Sequence, residues 1–163
     1  MKVRITLSAK DIFEFSMYHT YKAVYGIIGV LISVVAFAAA IYSIGKTDVL
    51  NTVLLFVVGL MFTVFQPLMI WHRSKKQAKK NRSIGTYLEY TFNENGFNIS
   101  DGENEDDILW PAILKISNTK NLTLLYTTMM RAFILPKAAF ADKYDEFKNM
   151  INENVKNARG KVK

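Results

Sequence analysis

The chain has 163 residues, half of them hydrophobic, a formal net charge of +7 and no cysteine. Without cysteine it has no disulfide framework, thiolate metal site or cysteine nucleophile. The positive charge is local: residues 72–82 hold Arg73, Lys75, Lys76, Lys79, Lys80 and Arg82 with no acid, whereas everything from Ser83 onward sums to −1. The basicity therefore borders an apolar stretch instead of covering a folded face, which argues against a nucleic-acid partner.

Taken in chain order, Val3, Ile5 and Leu7 alternate with Arg4 and Thr6, the pattern of a half-buried strand. Ser8-Ala9-Lys10-Asp11 reads as a capping box opening a helix that carries Ile12, Phe13, Phe15 and Tyr18. Residues 1–22 thus form an amino-terminal strand and a helix expected to run along a membrane interface into the next segment.

Residues 23–44 and 49–71 are uncharged stretches of 22 and 23 residues, separated by Gly45-Lys46-Thr47-Asp48. At about 1.5 Å of rise per residue each reaches across a hydrocarbon core of about 30 Å. A buried hairpin in a water-soluble helical protein would keep a polar face, and neither stretch has one. A cleaved leader, suggested by Ala36-Phe37-Ala38, fits poorly with the long acid-containing segment before it and the second stretch after it. The four-residue connector makes the two helices antiparallel neighbours. Lys and Arg are concentrated before the first stretch and after the second, so the positive-inside rule places both termini in the cytoplasm. Tyr18, Tyr21, Tyr25 and Trp71 fall at the inner boundary and Tyr42 at the outer one.

Small residues at Gly29, Ser33, Ala36 and Ala40 on the first stretch, and Gly59 and Thr63 on the second, are candidates for close helix packing, although such stripes also face lipid or another subunit. Pro67 is expected to kink the second helix and free a carbonyl for Thr63 or a water to satisfy. Neither stretch carries an ionisable group of the kind that lines a transport pathway. The hairpin therefore reads as an anchor.

Residues 72–83 are expected to continue the second helix as a basic juxtamembrane segment. Arg73, Lys75, Lys76, Lys79, Lys80 and Arg82 then either fix topology or contact anionic head groups, at about 1 kcal/mol each near such a surface. Residues 84–156 switch to short strands: Leu88 to Phe92, a turn at Asn93-Glu94-Asn95-Gly96, Phe97 to Ile99, then Ile108–Trp110, Ile113–Ile116, Leu122–Tyr126 and Arg131–Leu135. With the amino-terminal strand this makes about seven. Asp101 to Asp107 holds five carboxylates but lacks the glycine and terminal glutamate of a calcium loop, and reads as a solvated loop. Phe140, Tyr144, Phe147 and Ile151 share one face of a carboxy-terminal helix. The tail, residues 157–163, is expected to fray.

The order of two apolar stretches, a basic exit, the hairpin with Glu89, Tyr90, Phe92, Glu94 and Gly96, then Trp110 with Ile113, and finally Ala132-Phe133-Ile134-Leu135-Pro136-Lys137 with Phe140, resembles the YcxB-like family of bacterial membrane proteins, most strongly over Tyr87 to Ile151. The resemblance implies a domain similar to bacterial pleckstrin-homology-like (PH-like) folds and supplies no catalytic residues. The expected fold is an α+β membrane protein: a two-helix transmembrane hairpin plus a small PH-like antiparallel β domain with a carboxy-terminal amphipathic helix.

His19 and His72 lack further ligands at metal spacing, and no nucleophile–base pair or phosphate-binding glycine loop is visible. The functional expectation is a non-catalytic, membrane-anchored interaction module in the bacterial cell membrane, without cofactor. Its expected partners are a bilayer with anionic head groups, a protein contacted through residues such as Arg131 and Lys137, and a second copy in a homo-oligomer. The alternative expectation is a subunit of an oligomeric membrane complex, either a transporter component or an immunity-type protein.

Overall fold

A computed structural model describes residues 1–80, 85–156 and 158–162. The chain divides into two units, one formed by residues 1–15 and 77–163 and the other by residues 16–76.

The first unit is built from two antiparallel sheets. One has the order β1 (Lys2–Thr6), β2 (Tyr87–Phe92), β3 (Gly96–Ser100) and β4 (Glu105–Leu109). The other runs β5 (Lys115–Asn118), β6 (Leu122–Tyr126) and β7 (Ala132–Pro136). The β2–β3 turn is fixed by Asn93, whose side-chain oxygen accepts the Asn95 and Gly96 N–H groups at 2.9 Å each. Gly96 is required because a Cβ there would collide with the Ile108 carbonyl of β4. β1 is separated from β2 by 80 residues of sequence yet pairs with it along its whole length, Lys2 opposite Thr91 through Thr6 opposite Tyr87. Its Val3 and Ile5 point into the core and Lys2, Arg4 and Thr6 point out, as period-two alternation requires.

The core is aromatic. Phe92 stacks against Trp110, meets Phe147 edge-on at 5.2 Å between centroids and contacts Phe97, while Phe97 meets Phe133 at 90°. Trp110 satisfies its indole N–H on the Asn93 carbonyl at 3.1 Å. Burial pushes the Tyr90 phenol up to about 12.

Three sequence expectations change here. The acidic stretch is a loop only to Asn104; Glu105, Asp106 and Asp107 belong to β4, held by pairing with β3 while their carboxylates stay in water. The apolar face of the last helix is interrupted: Lys137–Lys143 is a 3-10 segment broken at Ala141, whose φ of 45° is left-handed, and the regular helix α5 spans Tyr144–Asn154. The tail does not fray over its described residues. Arg159 bridges β5 in parallel beside Lys115, Ile116 donates to the Arg159 carbonyl at 2.8 Å, and Val162 is buried with its backbone held by Asn152.

The second unit is the helical hairpin. Helix α1 (Ala9–Lys22), whose residues 9–15 belong to the first unit, begins at the expected capping box, with the Ser8 N–H donating to Asp11 Oδ2 at 2.8 Å and the Asp11 N–H returning to Ser8 Oγ. It does not run on unbroken, because Ala23 is extended and α2 (Val24–Ser43) starts afresh. Gly26 lets the chain turn there, since a Cβ would strike the Thr20 carbonyl. Helix α3 (Val49–Leu60) passes through a π turn, Met61–Phe65, into α4 (Gln66–Lys80). Both long helical runs are long and apolar enough to cross a membrane, by length and composition.

Candidate functional site

The hairpin interface rests on reciprocal ring-on-glycine packing. A Cβ on Gly29 would sit 2.6 Å from the Phe62 ring, and one on Gly59 would sit 2.7 Å from the Phe37 ring. Gly26, Gly29, Ser33, Ala36 and Ala40 form the buried stripe of α2 at helical three- and four-residue spacing. Ser33 Oγ is buried there and has no hydrogen-bond partner among the described residues.

Thr63, expected on this interface beside Gly59, is instead exposed, and its hydroxyl donates to the Gly59 carbonyl at 2.9 Å. Phe62, three residues after Gly59, is the side chain that meets Gly29 instead. The freed carbonyl also differs from the expectation. Gln66 donates to Met61, five residues back, and Pro67 has no N–H, so the Phe62 carbonyl loses both of its usual donors. The Tyr21 hydroxyl supplies the missing hydrogen bond at 2.7 Å.

On α4, Arg73, Lys75, Lys76, Lys79 and Lys80 are all exposed, with Lys75 Nζ 4.7 Å from the Trp71 ring. Arg82 lies outside the described residues.

In the β unit, Lys137 is committed internally, which removes it as a free contact: its ammonium donates to the Thr119 carbonyl at 2.9 Å and lies over the Tyr144 ring. The same turn is clamped by Glu14 of α1, which accepts the Asn121 N–H at 2.9 Å and its side-chain amide at 2.8 Å. Burial raises the Glu14 carboxyl, but bonds from Thr119 and Asn121, together with the Lys137 charge, outweigh it and hold the group below its ordinary value. Arg131 stays exposed and lines an open cleft of about 630 Å3 with Asp107, Leu109 and Phe133, between the outer strands β4 and β7.

A second groove of about 620 Å3 runs along the outer edge of β1, walled by the segment Ala139–Lys143 with its left-handed Ala141. Lys2 and Arg4 line it and both reach Glu89, at 3.0 and 3.5 Å. Hydrogen bonding and charge from Lys2, with Arg4 behind, hold the Glu89 carboxyl below its ordinary value. Among the described residues no group of three or more metal-ligating side chains comes together.

Residues 92–151 match the model of the YcxB-like protein family. The uncharacterized protein YcxB of Bacillus subtilis (strain 168) is 24% identical over 116 residues, covering 70% of this chain. Over these residues the chain is similar to the YcxB-like family. The alignment spans 63% of the Bacillus protein's length. The family match begins at Phe92, so it takes in most of the aromatic core of the β unit, including Trp110, Phe140 and Phe147, but neither β1 nor the hairpin. No solved structure matches the chain.

Proposed function

We propose that this YcxB-like chain is a non-catalytic interaction module anchored in the bacterial cell membrane, with the hairpin spanning the bilayer and both flanking segments in the cytoplasm. The observation that carries this reading is the point of insertion: the apolar hairpin leaves the β domain after β1 and returns before β2, two strands that pair along five residues. Paired strands share one compartment, so a hairpin between them crosses twice or not at all. Its surface favours crossing, because Ile27, Leu31, Val35, Leu50, Leu54 and Phe65 are exposed apolar side chains that water would not tolerate as a continuous surface. The exposed cations of α4 follow directly, where an anionic leaflet would hold them.

The arrangement of a four-stranded and a three-stranded antiparallel sheet followed by one carboxy-terminal helix supports a PH-like fold for the β domain. Such a domain binds through edges, loops and grooves, consistent with the two open clefts beside its outer strands.

The cysteine-free sequence makes the test direct. Lys46→Cys in the hairpin connector should react with a membrane-impermeant maleimide on intact cells, and Lys120→Cys only after permeabilisation. Equal labelling of both positions in intact cells, or release of the chain by alkaline carbonate washing, overturns the anchor.

A further inference from the structure

The hydrogen-bond pattern of the four-stranded sheet fixes which backbone groups its two outer strands leave unused. Met1 and Phe92 exchange both backbone hydrogen bonds at 2.7 Å, so along β1 the residues Met1, Val3 and Ile5 bond inward to β2. In an antiparallel ladder the alternate residues turn their N–H and C=O away. Those of Lys2, Arg4 and Thr6 therefore face the groove, where Lys2 and Arg4 have no backbone partner among the described residues.

At the other edge the Trp110 N–H bonds the Asn95 carbonyl at 3.0 Å, which by the same alternation assigns Asp106 and Ile108 to β3 and turns the groups of Glu105, Asp107 and Leu109 outward. The registers place Lys2 opposite Thr91, Thr91 opposite Asn98 and Asn98 opposite Asp107. Lys2, Arg4, Glu105 and Asp107 thus all lie on one face of the sheet, the solvent face. One edge carries two cations and the other two anions, and none of the ion pairs among the described residues uses Glu105 or Asp107.

We propose that the basic β1 edge of one copy pairs antiparallel with the acidic β4 edge of a second copy, extending the sheet head-to-tail with Lys2 opposite Asp107 and Arg4 opposite Glu105. The geometry supports this in three ways. Within the sheet β1 and β4 run in opposite directions, so a neighbour in the same orientation presents β1 antiparallel to β4 without inversion. The outward residues of both edges carry their side chains on the same face, so pairing them puts opposite charges directly across from each other, the arrangement that favours a strand pair. Symmetric β1–β1 or β4–β4 pairing would set like charges opposite, which leaves the head-to-tail contact as the one both edges allow. Asp106, on the other face of β4, would enter the groove where Lys143 forms part of the wall. This proposal rests on the β domain alone and does not depend on the anchor.

The test uses full-length chains reconstituted in lipid. Residues opposite one another in a ladder have Cα atoms about 5.5 Å apart, within disulfide reach, whereas β1 and β4 of one copy are three strand spacings, roughly 14 Å, apart. Arg4→Cys chains mixed with differently tagged Glu105→Cys chains should form a mixed-tag disulfide under mild oxidation, well above a control pair of Lys10→Cys and Lys120→Cys. A yield no higher than the control overturns the contact.

Energy transfer between labelled copies gives a second readout. Glu105→Lys with Asp107→Lys should reduce transfer to the level of random mixing. Adding Lys2→Glu, Arg4→Glu and Glu89→Lys to the same chain, which reverses the other edge with its own ion pairs kept, should restore it. Transfer that survives the first pair of changes in a chain of native circular dichroism places the interface elsewhere and overturns the proposal.

Discussion

The hairpin and the β domain distribute their apolar side chains in opposite ways. In the β domain Phe92, Phe97, Trp110, Phe140 and Phe147 are buried against one another and charge is left outside. In the hairpin the buried positions are Gly26, Gly29, Ser33, Ala36, Ala40, Gly59 and Ser74, and the large apolar side chains face outward. Hydrophobic burial holds the first unit together, as in any water-soluble core. In the proposed membrane anchor it does much less for the second, and contact there depends on how closely two backbones approach and on whether each backbone polar group keeps a partner.

This contrast predicts different responses to mutation. The largest effect is expected from Phe92→Ala, which removes the ring at the centre of the β core and should cost about 3–5 kcal/mol. Hydrogen exchange should show the strands losing protection while α2 and α3 keep theirs. Equal loss in both units would break the distinction between them.

Gly29→Val tests the other side. Its side chain meets the Phe62 ring, and overpacking of this kind costs about 1–3 kcal/mol. Helix separation, read by disulfide formation between cysteines on α2 and α3, should increase with no change in the aromatic near-ultraviolet signal of the β domain.

Tyr21→Phe deletes the hydroxyl that completes the π turn and should destabilise the hairpin by about 1 kcal/mol, with an infrared shift of the isotope-labelled Phe62 carbonyl as the local reporter. Ser33→Ala removes a buried hydroxyl that has no partner among the described residues, and thermal unfolding in detergent should show no loss or a small gain.

Glu14 gives the smallest effect and a pH signature. Its folded-state value lies below the ordinary 4.5, so its contribution is complete above that value and is lost as pH falls through the lower, folded one. Because the group is largely solvated, the change should stay below about 1 kcal/mol. Glu14→Gln should flatten the pH dependence of β-domain stability in this acidic range, measured by denaturant unfolding at several pH values.

Several parts of this fold are legible residue by residue. The alternation of Val3 and Ile5 with Lys2, Arg4 and Thr6 identifies β1, the Ser8–Asp11 pair fixes the start of α1, and Asn93 with Gly96 fixes the β2–β3 turn, because each depends on chemistry within a few residues. The apolar stretches and the basic residues after them are readable for the same reason. Pro67 announces a disturbed helix but not its form. Whether the helix kinks or takes on a π turn, and whether Thr63 or the distant Tyr21 caps the open carbonyl, depends on what the neighbouring helix presents.

The sequence by itself determined the number of strands, the two apolar helices and the segregation of charge, all of which follow from periodicity and local composition. Only the tertiary structure decided that Glu105–Asp107 join an edge strand, that Lys137 is spent on a turn, that the tail returns to β5, and that β1 and β4 become oppositely charged borders of one sheet. Those outcomes rest on pairings between residues tens of positions apart, and the energy of such a pairing belongs to both partners at once, so neither segment read alone contains it.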